Sequence, residues 1–467
     1  MLQVVDVSSI SHLNGIFAPI QEELSDAPCE VIQGAIPDDL VGDYLRNGPN
    51  PRFTPLGSFT YPVDGDGMVH ALSFADGRAR YRNRYVRTPS LAAEEKAGRS
   101  LWGGVLTPSP PSIAEVGPEL AQKLLRDQPD INVVRHGGRL LALAESDLPY
   151  ALSDDLNTVG PWNFCNRLSA GICAHPKIDP VTGEMVVFRY DVEPPFLSWA
   201  VIGAHGQVTR PETPIEIDDT YMVHDCVITR HYLVLFVFPL RFNFADKNAL
   251  AWEPDRGTRI AVVRRDGPAE AIRWFESEAF WVWHFANAHE EAGDGGIRIV
   301  VDYPRWSHAG FGNDEPVAGG VHRMILDLAR GGVSVEQRDE ALCEFARLDD
   351  RRVGRDYRYF HAAAKDPSDP AGMGTWNALR RYDLRTGNVV ERRTGKIALG
   401  EAVFAPRADA AESDENAGYL LTFTYDRESL ETGFLILNAD DIAGEPAATL
   451  RMPHRVPFGF HGSWVPG

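Results

Sequence analysis

Short runs of β-branched and aromatic residues recur along the whole chain, and this pattern constrains the fold more than any other feature of the sequence. Each run is bounded by Gly, Asp, Asn or Pro and has the length and composition of a β-strand. Such side chains pack well on a pleated sheet, whereas the flanking residues favour turns. The clearest runs are 138–143, 184–190, 232–238, 297–303 and 419–425.

Dipeptides typical of tight turns separate these runs. Asp76-Gly77, Thr182-Gly183, Asp266-Gly267 and Thr386-Gly387 place glycine where a hairpin requires a positive φ. The regular alternation of strand and helix that marks a parallel α/β sheet is missing from the sequence. We therefore predict an all-β protein.

Radial repetition of four-stranded blades buries many short strands without long exposed edges. At about 60–70 residues per blade, the 467 residues would form seven blades. No repeated motif of the WD or kelch type is visible, so periodicity alone does not establish a propeller.

Two segments depart from the strand pattern. Within residues 89–128, apolar and charged residues recur at helical spacing on both sides of a Pro-rich turn, which predicts one or two short helices. Segment 237–252 carries Leu, Phe and Trp in an expected loop. We expect both segments to cap the sheets, either as an apolar entrance or through ordinary packing.

Charge and hydropathy exclude several classes of partner. The chain has 46 basic and 66 acidic residues, a net charge of −20, and this field repels the phosphates of nucleic acid and anionic lipid. No run of eighteen apolar residues predicts a membrane span. The N-terminal segment lacks the basic start of a secretory signal, and the five cysteines show no CxxC. We expect a cytoplasmic protein with reduced thiols.

Four of the fourteen histidines stand beside strand-like runs in distinctive surroundings: His175, His224, His284 and His461. Neutral imidazole is a common ligand of divalent first-row metals. Their separations of 49, 60 and 177 residues fit no local metal motif, so spacing alone does not distinguish a metal site from four buried structural histidines.

The sequence motifs around these histidines identify a family more specifically than their spacing does. Eight segments resemble, in order, the carotenoid cleavage oxygenase family: YLRNGPNP (44–51), DGDGMVH (64–70), VVRHGGRLLALAES (133–146), AHPKIDPVTGE (174–184), MVHDCVIT (222–229), HFANAHEE (284–291), GEAVFAPR (400–407) and FGFHGSW (458–464).

This resemblance implies a seven-bladed β-propeller whose axis carries a non-haem Fe(II) held by four histidines. Position by position, the ligands would be His175, His224, His284 and His461. Because these residues come from distant parts of the sequence and would converge on one metal, we predict a single domain over residues 1–467. His70, His136, His289 and His454 fall outside the ligand positions, and we assign them no ligand role.

Metal-bound imidazoles usually have their second nitrogen held by a carboxylate. The resemblance places Glu145, Glu344 and Glu401 in this role, although each, taken without the resemblance, is more typical of a solvated surface charge. The match at Glu344 is the loosest, because Ala346 replaces the Pro that is usual in the family.

The resemblance further implies a dioxygenase that cleaves a carbon–carbon double bond of a conjugated alkene with O2 into two carbonyl products. No GxGxxG turn or P-loop predicts a second cofactor. Many relatives carry a Thr whose methyl crowds an open iron position, and Ile131 stands there in this chain. Ile is also β-branched, so a methyl remains available for that role.

The substrate is less constrained than the reaction. The Lys and Tyr with which lignostilbene-cleaving relatives bind a phenol are not evident here, which favours a carotenoid or apocarotenoid in an apolar tunnel. A lignostilbene or phenylpropenoid substrate is the alternative, followed by a non-oxidative isomerase or hydrolase and by a binding module without a metal. Long polyenes partition into lipid, so peripheral membrane contact is expected. The expected walls of the tunnel are Phe59, Trp102, Tyr221, Phe238 and Phe285.

Overall fold

The computed structural model describes residues 2–467 except 62, 169, 244–248, 269–270, 294, 311–315, 370–374 and 412. The chain divides into two compact units. The first consists of Met1–Ala174, Phe423–Ile436 and Ala447–Gly467, and the second of His175–Thr422 and Leu437–Pro446.

Nearly all regular structure is β. The first strands in chain order are β1 Ala27–Pro28, β2 Glu30–Gly34, β3 Gly42–Arg46, β4 Met68–Ala75, β5 Arg78–Tyr85, β6 Asn132–His136, β7 Arg139–Leu143, β8 Tyr150–Leu152, β9 Thr158–Pro161, β10 Lys177–Ile178, β11 Met185–Tyr190, β12 Leu197–Ile202, β13 Val208–Pro214, β14 Cys226–Ile228, β15 Tyr232–Val237, β16 Leu240–Phe242 and β17 Leu250–Trp252.

The remaining strands are β18 Thr258–Arg264, β19 Ile272–Ser277, β20 Asn287–Gly293, β21 Gly296–Trp306, β22 Gly319–Asp327, β23 Gly332–Asp339, β24 Cys343–Arg347, β25 Tyr359–Ala364, β26 Ala378–Asp383, β27 Val389–Arg393, β28 Ile397–Leu399, β29 Val403–Pro406, β30 Gly418–Asp426, β31 Thr432–Asn438, β32 Ala448–Arg451 and β33 Gly462–Pro466. The helices are α1 Pro89–Ala97 and α2 Ile113–Leu120, with 3₁₀ turns at Val7–Ser9, Ser11–Leu13, Gly15–Phe17, Pro254–Arg256 and Asp350–Arg352.

Within the described residues these strands form seven sheets of four or more strands and one two-stranded ribbon, β16-β17. The sheet orders are β1-β5-β4-β3-β33, β6-β7-β8-β9, β10-β11-β12-β13, β14-β15-β18-β19, β20-β21-β22-β23, β24-β25-β26-β27, and β2-β32-β31-β30-β28 with β29 on β30. Neighbouring strands are antiparallel, so most connections are hairpins.

The five strand-like runs of the sequence are confirmed as β7, β11, β15, β21 and β30. The Asp76-Gly77 pair joins β4 to β5, with Ala75 directly opposite Arg78. Both turn residues have positive φ, 51° and 65°. This is the two-residue hairpin that an Asp-Gly sequence favours.

Burial changes systematically across a sheet. The central strands β12 and β15 are almost entirely buried, whereas the fourth strands β13 and β23 are mostly exposed or half-buried. Among the first strands, β14 and β20 begin with buried residues whereas β10 is half-buried, and the candidate metal ligands precede all three. All five cysteines are free, and three of them are buried.

The helices predicted within 89–128 are confirmed as α1 and α2. Thr88 caps α1 by accepting the N–H of Leu91 at 3.0 Å, and Gly98 ends it with a φ of 68°. Segment 237–252 contains the β16-β17 ribbon, but its residues 244–248 lie outside the described residues. Among the described residues, no helix is long and apolar enough to cross a membrane.

Candidate metal centre

Three of the predicted ligands lie in equivalent places in three consecutive sheets of the second unit. His175 and His224 stand two residues before β10 and β14, and His284 stands three residues before β20. The loop that enters each sheet therefore carries one imidazole. His175 and His224 are buried, and the side chain of His284 is 12% exposed.

The three imidazole rings converge. The ring centroids of His175 and His224 are 4.6 Å apart, those of His175 and His284 4.8 Å, and those of His224 and His284 5.1 Å. The Nε2 atoms of His224 and His284 face each other at 3.2 Å.

This separation fits two ligands of one metal ion. Metal–imidazole bonds are about 2.1 Å long, so two nitrogens at a right angle around one ion stand about 3.0 Å apart. Three clustered imidazoles form a donor set for divalent Fe, Zn, Cu or Ni rather than for Mg or Ca, which prefer oxygen. The residues present therefore fit a first-row transition metal.

Glu344, which the family resemblance places behind a metal ligand, contacts the second nitrogen of His284. Its Oε2 contacts Nδ1 of His284 and also accepts the N–H of Phe345 at 2.8 Å. With the proton of His284 on Nδ1 facing this carboxylate, the lone pair of Nε2 is left to face His224. The Glu344 carboxylate is only 5% exposed.

A bulge in β24 produces this contact. The register of β24 against β25 shifts between Glu344 and Arg347, and Phe345 has a φ of 54°. Bulges of this kind re-aim side chains beside functional sites. The ring of Phe345 stacks on that of His284 with centroids 5.8 Å apart. Phe345, whose backbone is strained, therefore directly follows Glu344, whose carboxylate contacts His284.

Glu401 lies buried between β28 and β29. Its Oε2 is 3.2 Å from Nη1 of Arg347, whose Nη2 lies 3.4 Å from Asp350. An ion pair therefore fixes this carboxylate. The histidine partner that the sequence assigns to Glu401 stays a prediction.

His461 and Glu145 belong to the first unit. His461 is buried immediately before β33, and its N–H donates to the carbonyl oxygen of Ile131 at 3.2 Å. The N–H of Ile131 donates in turn to Leu143 at 3.0 Å. Glu145 is half-buried just beyond β7. A backbone hydrogen bond thus joins His461, the fourth predicted ligand, to Ile131, the residue predicted to crowd the metal.

Asn47 was missed by the sequence reasoning, although it lies in the RNGPNP motif. Its side-chain amide donates to the carbonyls of Pro129 and Asn132 at 2.9 and 3.0 Å, and its N–H donates to the carbonyl of His461 at 3.0 Å. It joins the Ile131 segment to the His461 segment. The one signal in the sequence that could have suggested this role is that Asn47 lies within a segment that resembles the family.

The predicted tunnel walls belong to both units. In the first unit Phe59 is half-buried, and Trp102 is buried with its Nε1 donating to the carbonyl of Lys123 at 3.1 Å. In the second unit Phe238 and Phe285 are buried, and each packs on Phe236. Their role in substrate binding stays a prediction.

Tyr221 has more polar surroundings than a tunnel wall requires. Its hydroxyl accepts from Nη1 of Arg256 at 3.1 Å and lies 3.4 Å from Asp218. A wall role for its ring also stays a prediction.

The histidines assigned no ligand role have other partners. Nδ1 of His70 is 2.7 Å from the hydroxyl of Tyr81, and Nε2 of His454 is 3.0 Å from the same hydroxyl. Burial lowers the pKa of His70 well below its ordinary value. Nε2 of His289 lies 3.3 Å from Glu291. His136 is buried at the end of β6.

The chain is similar to known proteins over nearly its whole length. The family model described as retinal pigment epithelial membrane protein matches residues 17–466. A carotenoid cleavage oxygenase of Mycobacterium tuberculosis is 32% identical over 97% of this chain and 97% of its own. The chain belongs to the carotenoid cleavage oxygenase family. The resemblance noted in the eight sequence motifs is thereby confirmed.

Solved carotenoid cleavage oxygenase structures share the fold. Pseudomonas brassicacearum lignostilbene dioxygenase is 30% identical with a TM-score of 0.89, covering 98% of this chain and 99% of its own. Synechocystis apocarotenoid oxygenase is 28% identical with a TM-score of 0.84, covering 96% and 97%, and has also been solved in a cobalt-substituted form. The fold is the seven-bladed β-propeller expected from the sequence, with the helices as a minor addition.

Proposed function

We propose that this protein is an Fe(II)-dependent dioxygenase that cleaves one carbon–carbon double bond of a conjugated alkene into two carbonyl products. The observation that carries the proposal is the convergence of three imidazoles, with two Nε2 atoms 3.2 Å apart and a buried carboxylate behind one of them. Family membership supports the reaction class, because the relatives are named oxygenases and dioxygenases.

His175, His224 and His284 would hold the metal through neutral nitrogens, so the charge of the ion would not be cancelled by its ligands. When bound, iron(II) supplies the one-electron redox chemistry that lets ground-state O2 react with an alkene. Glu344 fixes the tautomer of His284. The rings of Trp283 and Phe345 pack on His224 and His284.

His461 is proposed as the fourth ligand and Glu145 as a further carboxylate partner. The support is the position of each residue within a family motif, FGFHGSW and LALAES. Ile131 would present an aliphatic side chain near His461, because their backbones are hydrogen-bonded.

A carotenoid or apocarotenoid is the proposed substrate. Relatives named for carotenoid and apocarotenoid cleavage cover nearly the whole chain. The Lys and Tyr that bind a phenol in lignostilbene-cleaving relatives are not evident in the sequence, which leaves apolar contacts as the means of recognition.

A stilbene or phenylpropenoid is the second candidate. One observation favours it: the lignostilbene dioxygenase superposes with a TM-score of 0.89, against 0.84 for the apocarotenoid oxygenase. The two candidates share the metal and the reaction and differ only in the groups that flank the double bond.

We also infer contact with a lipid surface from the cap segment 89–128. Leu106, Ile113 and Leu124 are 38%, 65% and 58% exposed within it. A polyene dissolved in lipid would reach the enzyme most readily from such a surface. Because the chain carries a net charge of −20, the contact would be apolar rather than electrostatic.

The proposal is tested by anaerobic reconstitution with Fe(II), followed by mass spectrometry of the products from a panel of apocarotenals and hydroxystilbenes under ¹⁸O₂. We expect one oxygen from the gas in each carbonyl product. Substantial label from water, after correction for carbonyl exchange, would reject a dioxygenase. Turnover without O2 would indicate an isomerase or hydrolase, and the preferred panel member separates the two substrate classes.

A further inference from the structure

The carboxylate of Asp225 lies where the three histidine-bearing loops of the second unit meet. Asp225 directly follows His224 in the sequence and is 1% exposed. A buried charge is costly unless hydrogen bonds and an opposite charge compensate it, so its partners are informative.

Each partner of Asp225 belongs to a different ligand segment. Its Oδ1 lies 2.7 Å from Nζ of Lys177, two residues beyond His175. The same oxygen accepts the N–H of Cys226 at 2.7 Å, two residues beyond His224. Its Oδ2 accepts the N–H of Phe285, the residue after His284, at 2.9 Å.

These contacts use both oxygens of the carboxylate. In two of them the donor is a backbone N–H group. These two contacts therefore constrain the path of the main chain beside His224 and His284, and not merely a mobile side chain. The third is a charge-assisted bond to Lys177, whose side chain is 22% exposed. One side chain therefore links the three segments that carry the converging imidazoles.

We propose that Asp225 is a positioning residue that sets the mutual placement of His175, His224 and His284. It touches no reacting group and acts through the backbone on either side of the ligands. The inference rests on the proposed metal function, since only a bound ion makes the relative placement of the three rings functionally important.

Asparagine is an informative replacement at position 225 because it has the shape of aspartate but only one acceptor oxygen. Its amide –NH2 must face either the N–H of Cys226 or that of Phe285, so one backbone anchor is lost. The double variant Asp225→Asn/Lys177→Met removes both charges and leaves no unpaired ammonium. Asp383→Asn is the matched control, because Asp383 binds Arg358 and the N–H of Arg385 far along the chain from any ligand.

The experiment measures Co(II) and Fe(II) affinity of the full chain by chelator competition, the visible absorption of the Co(II) form, and the Tm of the apo protein. We expect Asp225→Asn to bind either metal about 10–100-fold more weakly and to change the Co(II) bands. We expect Asp383→Asn to lower the Tm, whereas its metal affinity and its Co(II) spectrum should equal those of the wild type.

A lowered Tm with wild-type affinity and bands in Asp225→Asn would overturn the positioning role and leave only a structural one. If Asp225→Asn does not fold, the double variant carries the same expectation and the same refutation. A wild-type chain that binds neither metal would instead refute the proposed function itself, and the positioning role with it.

Discussion

Nε2 of His224 lies 3.2 Å from Nε2 of His284, while Nδ1 of His284 contacts the carboxylate of Glu344. The two nitrogens of one ring therefore have separate tasks. One is fixed by an anion, and the other faces a second imidazole. Two imidazole nitrogens at this distance can share either a proton or a metal ion, and the third ring, that of His175, converges on the same pair as a metal ion would require.

His284→Ala should abolish metal binding. The substitution removes one of three converging donors and leaves the Glu344 carboxylate without its imidazole partner. We expect the metal content after reconstitution to fall from about one ion per chain to near zero, and alkene cleavage to fall with it. Elemental analysis of desalted protein and a turnover assay measure both effects.

His289→Gln is the matched control for this variant. His289 is also buried and lies five residues further along the chain, but its Nε2 faces Glu291. Its replacement should leave metal content unchanged. Equal losses in the two variants would contradict the ligand assignment.

Glu344→Gln should weaken metal binding without abolishing it. Glutamine keeps one acceptor for the Nδ1 proton of His284 but removes the negative charge that strengthens this contact. Loss of such an outer partner costs about 10–100-fold in metal affinity or activity. Chelator competition measures the affinity, and kcat/KM measures the activity.

Glu291→Gln provides the comparison, because Glu291 is a carboxylate beside a histidine that is not a predicted ligand, and its side chain is 42% exposed. We expect wild-type affinity and activity in this variant. If Glu344→Gln behaved in the same way, the carboxylate would not be tuning the metal centre.

Local patterns in the sequence were sufficient for much of the fold. Runs of β-branched and aromatic residues and the Asp76-Gly77 turn identified strands and hairpins, because both signals depend only on neighbours in the chain. The helices of segment 89–128 were equally visible from their spacing. The seven-bladed arrangement and the four-histidine set came from resemblance, since ligands 49 to 177 residues apart leave no local periodicity.

Other parts of the centre depend on contacts that the sequence does not encode locally. The bulge at Phe345 is a mismatch between two strands, and it exists only once β24 pairs with β25. Asn47 and Asp225 act by bonding to backbone groups of distant segments. Nothing in the residues beside them predicts which backbone they meet.

Ile131→Ala should change turnover more than metal content. Ile131 is buried, and its carbonyl accepts the N–H of His461, a backbone contact that the substitution preserves. Removing its branched side chain opens the space that we predict beside the metal. We expect metal content to remain that of the wild type and kcat to fall, with a stability cost of about 2–5 kcal/mol.

Ile131→Thr keeps the β-branch and restores the residue that is usual in the family. It should therefore retain more of the wild-type kcat than Ile131→Ala does. Steady-state kinetics on both variants at matched metal content provides the measurement. Loss of metal in Ile131→Ala, or equal kcat in all three proteins, would exclude the proposed crowding role.

His361→Gln should make the protein less sensitive to mild acid. His361 is buried in β25 with Arg347 and Arg381 directly opposite it on the neighbouring strands. Burial and the Arg381 guanidinium lower its pKa to about 3. The unfolded chain takes up a proton at this residue below pH 6.5, whereas the folded chain does not until about pH 3, so the stability associated with His361 is lost as the pH falls between these values.

Each unit of pKa difference corresponds to about 1.4 kcal/mol, so between pH 7 and pH 5 the wild type should lose about 2 kcal/mol more than His361→Gln. Urea unfolding of the metal-free proteins at both pH values measures this difference, and the contributions of the other histidines cancel in the comparison. Because glutamine does not titrate, the free energies of unfolding should converge as the pH is lowered. Parallel pH dependences would show that His361 is protonated in the folded state as readily as in the unfolded chain.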